Sequence, residues 1–296
     1  MTETAIRIRG LSKTYGTHRA VDGLDLDVHA GEVFSLLGPN GAGKTTTVEI
    51  LEGFRDRDGG EVSVLGTDPH GAPRSWRDRI GIVLQTTGGL DLLTPREVLR
   101  STARCYRDPR DVGEVIEATG LTEKADARIA GLSGGQKRRL DVALGIVGRP
   151  ELLFLDEPTT GFDPQARRDF WELIRSLADG GTTILLTTHY LDEAEQLADR
   201  VGVIAAGRLL ALDTPAALGG RRSQEATVTW EEDGATRTVR TAEPTAEVAR
   251  LATRFPGEVP ELTVTRPSLE DTYLGLIAPH VADSGTPPTD TQEVSA

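Results

Sequence analysis

The sequence predicts an α/β fold built on a mostly parallel sheet, and three observations carry that reading. Short runs at residues 32–37 (EVFSLL), 152–155 (LLFL) and 183–186 (TILL) are almost continuously apolar rather than alternating. Strands covered on both faces read this way. Helical patterns separate these runs, and the strand–helix alternation continues over about the first 212 residues.

Each element has a local cause. A helical run at 47–54 follows a glycine-rich turn. Thr94-Pro95-Arg96-Glu97 supplies an N-cap, a proline at the first helical position and a glutamate three residues after the cap. Ser133 and Gln136 have capping-box spacing, so a helix is expected over the next residues, with Leu140, Ala143, Leu144 and Val147 on one apolar face. Residues 201–212 read as a strand pair turning at Ala206-Gly207. The character then changes near Asp213-Thr214-Pro215. Residues 227–240 read as a hairpin about Asp233-Gly234. Val248, Leu251, Ala252 and Phe255 share a helical face, and Ser268 with Asp271 begins a last helix. The expected organisation is a main domain at 4–212, a small α+β appendage at 213–277 and a disordered tail at 278–296.

The 296-residue chain carries a formal charge of −13 and one cysteine, Cys105. A disulfide framework and paired-cysteine zinc sites are excluded. The acidity disfavours nucleic acid as a partner. The opening residues, MTETAIRIRG, carry charges where a secretion signal needs an apolar run. No apolar stretch approaches the ~18 residues of a membrane helix. Trp76, Cys105 and Trp171 are expected to be packing residues.

Gly38-Pro39-Asn40-Gly41-Ala42-Gly43-Lys44-Thr45-Thr46 lies between an apolar run and a helical one. This is a phosphate-binding loop in its strand–loop–helix setting. Glycines let backbone N–H groups close around phosphate oxygens, and the helix N-terminus adds partial positive charge. Lys44 can reach the β- and γ-phosphates, and the Thr45 hydroxyl can ligate Mg²⁺. A second apolar run ends in Asp156-Glu157, at the strand end where ligands sit in open α/β sheets. Asp156 is placed to hold Mg²⁺ through water, and Glu157 to deprotonate an attacking water. Alone, that pair is equally a solvated acidic turn. Leu132-Ser133-Gly134-Gly135-Gln136 is by itself an ordinary capped helix start.

The combination GPNGAGKTT, then LSGGQ, then LLFLDEP strongly resembles the ATP-binding subunit of ABC transporters over residues 4–212. That resemblance implies a P-loop ABC ATPase core, with an antiparallel β subdomain and a helical subdomain beside the main sheet. It implies ATP and Mg²⁺, with Thr45, Gln85 and Asp156 around the metal. Tyr15 matches the residue that stacks on adenine, and Val21 is carried over as a further nucleotide contact. Asn40, Gly41, Ala42, Gly43, Lys44, Thr45 and Thr46 match the phosphate contacts. Lys44, Gln85, Glu157 and His189 match the catalytic set. Ser133, Gly134, Gly135 and Gln136 match the motif that binds the γ-phosphate from a second copy of the chain, and Asp163 matches the aspartate that communicates across that dimer.

Arg266-Pro267-Ser268-Leu269-Glu270-Asp271-Thr272-Tyr273-Leu274 is similar to the end of daunorubicin-resistance-type drug-exporter ATPases. Glu157-Pro158-Thr159-Thr160-Gly161 and Asp163-Pro164-Gln165-Ala166-Arg167-Arg168 point the same way. This implies a homodimer docked on a separate multi-spanning permease, at the cytoplasmic face of the membrane, exporting a drug, antibiotic or other hydrophobic compound. The Gln85 to Arg107 region is expected to touch the permease. The alternative is a soluble ABC ATPase acting on the ribosome or DNA. A single cassette, no inserted coiled coil and a net acidic charge disfavour it.

Overall fold

The computed structural model describes residues 3–83, 90–160 and 162–281. Two long antiparallel strands, β1 (Thr4–Tyr15) and β2 (His18–His29), lead to the buried strand β3 (Val33–Leu37). Then come α1 (Lys44–Leu51), β4 (Gly59–Val64), the single turn α2 (Arg74–Arg77) and β5 (Ile80–Val83). Three helices follow: α3 (Pro95–Ala103), α4 (Val112–Ala118) and α5 (Gly134–Ile146). Next are β6 (Leu152–Asp156), α6 (Pro164–Asp179), β7 (Thr183–Thr188), α7 (Leu191–Leu197), β8 (Arg200–Ala205) and β9 (Arg208–Asp213). The last elements are β10 (Ala226–Glu232), β11 (Ala235–Thr241), α8 (Pro244–Arg254), β12 (Thr263–Thr265) and α9 (Leu269–Val281).

The main sheet has six strands in the order β5-β6-β7-β3-β8-β9. All neighbours are parallel except β8 and β9. The apolar runs explain why it is covered on both sides. Phe34, Leu36, Leu152, Phe154 and Leu185 face a core shared with Val48 and Leu51 of α1 and with the antiparallel sheet β2-β1-β4. Val33, Leu153, Leu155, Ile184 and Leu186 face a second core with Leu99, Leu140, Ile146, Phe170 and Ile174 of the helices. Successive strand residues therefore serve opposite cores. The α/β class, the mostly parallel sheet, the antiparallel β layer and the helical layer are as the sequence predicts.

Some boundaries move, for local reasons. Strands β6 and β7 run on to Asp156 and Thr188, because Asp156 pairs with Thr187 and Leu37 pairs with Thr188. Helix α1 starts at Lys44, so the last residues of the phosphate loop are its first turn. Thr94 and Ser133 both cap helices through complete capping boxes. Trp76 is buried and donates its indole N–H to the Val64 carbonyl, and Trp171 packs against the helical core. Cys105 is exposed, contrary to the packing role expected of it.

Past β9, the hairpin turns at Asp233 (φ 54°) and Gly234 (φ 72°). Two consecutive left-handed residues match the right-handed twist of the strands they join. Val228, Trp230 and Leu251 form a small core there, with Val248 and Phe255 against it. Ala252 is exposed rather than on that face. Ser268 and Asp271 close the reciprocal cap at the start of α9. That helix packs Leu269 and Ile277 with Leu37, Ala194, Val201 and Val203 of the main body. It includes residues 278–281, which the sequence reading gave to the tail, while 282–296 lie outside the described residues.

Phe154 sits fully buried in β6, where truncation leaves a cavity between two packed layers. Phe154→Ala is expected to cost about 3–5 kcal/mol, read by urea denaturation as a lower midpoint at unchanged slope.

Candidate active site

Strand β3 ends at Leu37, and the chain turns back through residues 38–43 to open α1. The turn depends on Gly43. Its φ is +100°, and a Cβ there would stand 2.2 Å from the Ala20 carbonyl oxygen. No L side chain fits that approach. Lys44 is the first residue of α1 and is buried, and its ammonium donates to the carbonyls of Gly38 (2.7 Å) and Pro39 (3.2 Å). A cleft of about 330 Å³ opens over this loop, lined by Asn40, Gly41, Ala42, Gly43, Lys44, Thr45 and Thr46. Tyr15, His18, Ala20 and Glu157 complete its walls. A helix N-terminus with exposed backbone N–H groups and a buried cation is a site for a phosphorylated anion.

Tyr15 is 39% exposed, with the Arg55 guanidinium 5.3 Å and the Lys13 ammonium 5.6 Å from its ring centroid. It pairs directly with His18 across the β1–β2 turn. Two cations thus lie beside an aromatic ring at the cleft wall. Val21 does not join it. Along β2, Ala20 turns to the cleft while Val21 turns away and is fully buried among core residues. Val21, expected as a nucleotide contact, does not line this cleft.

The carboxylates enter from β6. Asp156 accepts a hydrogen bond from the Thr187 hydroxyl on β7. Glu157 is in the left-handed region (φ 43°), which costs a non-glycine residue of the order of 1 kcal/mol. Its amide N–H donates to the Thr187 carbonyl at 3.1 Å. Its carboxylate lies 3.2 Å from Nδ1 of His189, the residue just beyond β7. A carboxylate and an imidazole are therefore joined beside the phosphate loop, an arrangement able to orient a water and accept its proton. Burial lowers the Lys44 pKa from its ordinary value, and the charges of Glu157 and Asp156 act against that shift.

A second cleft, of about 380 Å³, holds Ser133, Gly135, Gln136 and Asp163. Ser133 caps α5, with Gly134 as that helix's first residue, and Asp163 caps α6 by accepting from the amides of Gln165 and Ala166, each at 2.9 Å. Two helix N-termini thus open on one cleft, which shares no lining residue with the first. Gln85 lies outside the described residues.

Several contributors were not singled out in the sequence. His18 and Ala20 were missed, although His18 directly follows the two-residue turn after Tyr15. Arg138 is buried and donates to the carbonyls of Asp156 (2.8 Å) and Pro158 (3.0 Å), so α5 braces the loop that carries Glu157. Burial lowers its pKa. Glu52 lies two turns beyond Lys44 in the Lys44, Val48, Glu52 spacing, a visible helical signal. Burial, then the nearby charges of Asp156 and Glu49, push its carboxyl up to about 8.

The model for the ABC transporter family matches residues 21–160. The daunorubicin resistance ATP-binding protein DrrA2 of Streptomyces coeruleorubidus is 40% identical over 306 residues, covering 92% of this chain and 94% of that one. The Nod factor export ATP-binding protein I of Paraburkholderia xenovorans is 45% identical, covering 74% of this chain and 73% of that one. CbiO1 of Clostridium perfringens, part of the ABC transporter complex CbiONQ, superimposes with a TM-score of 0.66 at 27% identity, over 72% of this chain and 90% of that chain. An ATP-binding cassette of an ABC transporter in its ADP conformation gives 0.65 at 26% identity, over 71% and 91%.

Gly43→Val forces a side chain onto the Ala20 carbonyl, so nucleotide binding measured by fluorescence titration is expected to be lost. Glu52 gives a pH dependence. Its carboxyl stays neutral in the folded chain up to about pH 8, whereas unfolded it ionises near its ordinary 4.5. The stability it contributes is therefore full below about pH 4.5 and fades as pH rises towards 8. Glu52→Gln cannot ionise, so its melting temperature relative to wild type is expected to climb between about pH 5 and pH 8.

Proposed function

Since this chain belongs to the ABC transporter ATP-binding proteins, in their daunorubicin-resistance type, we propose that it drives export as a head-to-tail homodimer docked on a separate permease. It is an ATPase subunit of an exporter. The observation that carries the dimer is the division of the site. The phosphate loop with Glu157 and the Ser133–Asp163 cleft share no lining residue within one chain. Two copies facing each other head to tail bring the first cleft of each against the second cleft of its partner.

In this reading ATP lies between them. Tyr15 stacks on the adenine. The loop from Asn40 to Thr46 and the Lys44 ammonium hold the phosphates. Ser133 with the amides of Gly134 and Gly135, and Gln136 beside them, close on the γ-phosphate from the other copy. Glu157 takes the proton of the attacking water, and His189 orients it. Asp163, capping α6, links the two sites across the dimer. Gln85 senses nucleotide and couples to the permease.

The donor set fits Mg²⁺. The Thr45 hydroxyl and Asp156 carboxylate are hard oxygen donors. Among the described residues no group of three or more His, Cys, Asp or Glu is placed to hold a metal alone. Thr45 and Asp156 would hold the ion, which would supply charge neutralisation beside the bound phosphates.

Among the described residues no helix is long and apolar enough to cross a membrane. The translocation path is accordingly assigned to a partner protein, with this subunit peripheral at the cytoplasmic face. The daunorubicin-resistance relatives support a drug, antibiotic or other hydrophobic compound as cargo. Residues 4–212 form the ATP-binding domain in this reading, and 213–277 the appendage.

Lys44→Ala is expected to lower the ATPase rate by about a hundredfold or more. Glu157→Gln removes the proton acceptor but leaves binding, so ATP should shift it to a dimer in gel filtration. A monomer in saturating ATP contradicts the dimer. Tagged Glu157→Gln recovered in detergent with ATP should carry one multi-spanning membrane protein, identified by mass spectrometry. Recovery of ribosomal or DNA-repair proteins, with no membrane partner, overturns the permease assignment.

A further inference from the structure

We propose that Glu193 is a positioning residue of the ATPase centre, a buried carboxyl on α7 that holds the loop after Glu157, at Thr159, against the strand end carrying His189. The inference rests on the reading of Glu157 and His189 as the hydrolytic pair.

Glu193 is 0% exposed, and the Thr188 and Thr159 hydroxyls and the Trp171 indole N–H lie within hydrogen-bonding reach of its carboxyl, in a geometry short of ideal. Nε of Arg167 is buried in the same region. Thr159, Trp171 and the Thr188 hydroxyl all face the Glu193 carboxyl, with the Arg167 charge behind them. Burial raises the carboxyl's pKa above the ordinary carboxylate range, and these neighbours act against that shift. A carboxyl has two oxygens with about four lone-pair sites, so it can accept from two threonine hydroxyls and an indole N–H together.

The origins of these groups give the cluster its meaning. Thr159 belongs to the loop that leaves Glu157. Trp171 and Arg167 belong to α6, the helix that Asp163 caps. Thr188 immediately precedes His189, and its hydroxyl accepts from the amide of Tyr190 at 3.0 Å. The Arg167 guanidinium lies 4.8 Å from the centroid of the Tyr190 ring. One carboxyl thus faces the loop after Glu157, the helix α6 and the strand end before His189. Buried polar groups left unpaired are costly, and an apolar residue of the same shape is commonly at least as stable. Stability alone does not account for a carboxyl here. A group that ties the Thr159 loop, α6 and the Thr188 strand end to one another does.

The test uses the full-length chain and three readouts: ATPase kinetics, affinity for a fluorescent ATP analogue, and thermal melting. Glu193→Gln keeps an acceptor oxygen in a side chain of nearly the same shape and should hold kcat within about twofold of wild type. Glu193→Leu should melt at or above the wild-type temperature and bind nucleotide as wild type, yet lose about tenfold in kcat. A packing role moves stability and activity together, so this split separates the two. Thr159→Val should lose kcat similarly, and the double variant Glu193→Leu/Thr159→Val should lose little more than either alone.

Wild-type kcat in Glu193→Leu overturns the proposal, as do equal losses in the Gln and Leu variants or multiplicative losses in the double variant. If the Leu variant does not fold, Thr159→Val decides: wild-type kcat there overturns the proposal equally. Glu157→Gln, run alongside, keeps the two levels apart. Wild-type hydrolysis by that variant removes the centre itself, whereas an inactive Glu157→Gln beside a fully active Glu193→Leu removes only the positioning role.

Discussion

The fold turns on parallel pairing at the end of one buried strand. The phosphate loop can act only if β3 holds it still, and β3 lies between β7 and β8 with every side chain buried. Because β3, β7 and β6 are parallel, their carboxyl ends lie side by side, with Leu37 against Thr188 and Thr187 against Asp156. The three segments that follow therefore carry Lys44, Glu157 and His189 to one edge of the sheet. An antiparallel pairing would send one of them to the far end. The local costs are visible at the same place: a buried ammonium at Lys44, a left-handed Glu157, and a fully buried carboxyl at Glu193. Consistent sequences carry such local conflicts mainly at functional sites.

What was legible in the sequence was local. The phosphate loop is a continuous string whose glycines, lysine and threonines act through their own backbone, so reading it requires no partner. Ser133 and Gln136 cap a helix three residues apart, and both halves of that box form. The apolar runs become strands because no other structure buries both faces of so short a segment.

What was not legible depended on contacts between distant segments. Lys137 and Arg138 are adjacent basic residues on one helix, yet only Arg138 is buried, because α5 lies against the loop after β6. Ala20 and Val21 differ by one strand position, and that decides which one faces the cleft. Glu52 and Glu193 read as ordinary helical glutamates until the helices are packed. Cys105 is the reverse case, a residue usually buried that ends at the surface because its segment follows α3 out of the core. The last helix, α9, belongs to the same lesson. Its Leu269 and Ile277 seat on α7 and β8, so it shares a core with the helix that follows His189.

The central claim is that each hydrolytic site is assembled from two chains, and mixing two inactive variants tests it most directly. Lys44→Ala disables the phosphate loop, and Ser133→Arg blocks the cleft that closes on it from the other copy. Each alone should be nearly inactive. Co-refolded or co-expressed, the mixed dimer contains one site with both Lys44 and Ser133 intact, and random pairing of two-fold dimers predicts recovery to about a quarter of the wild-type rate. No recovery in a verified mixed dimer, or near-wild-type turnover by Ser133→Arg alone, would contradict a site shared between two chains.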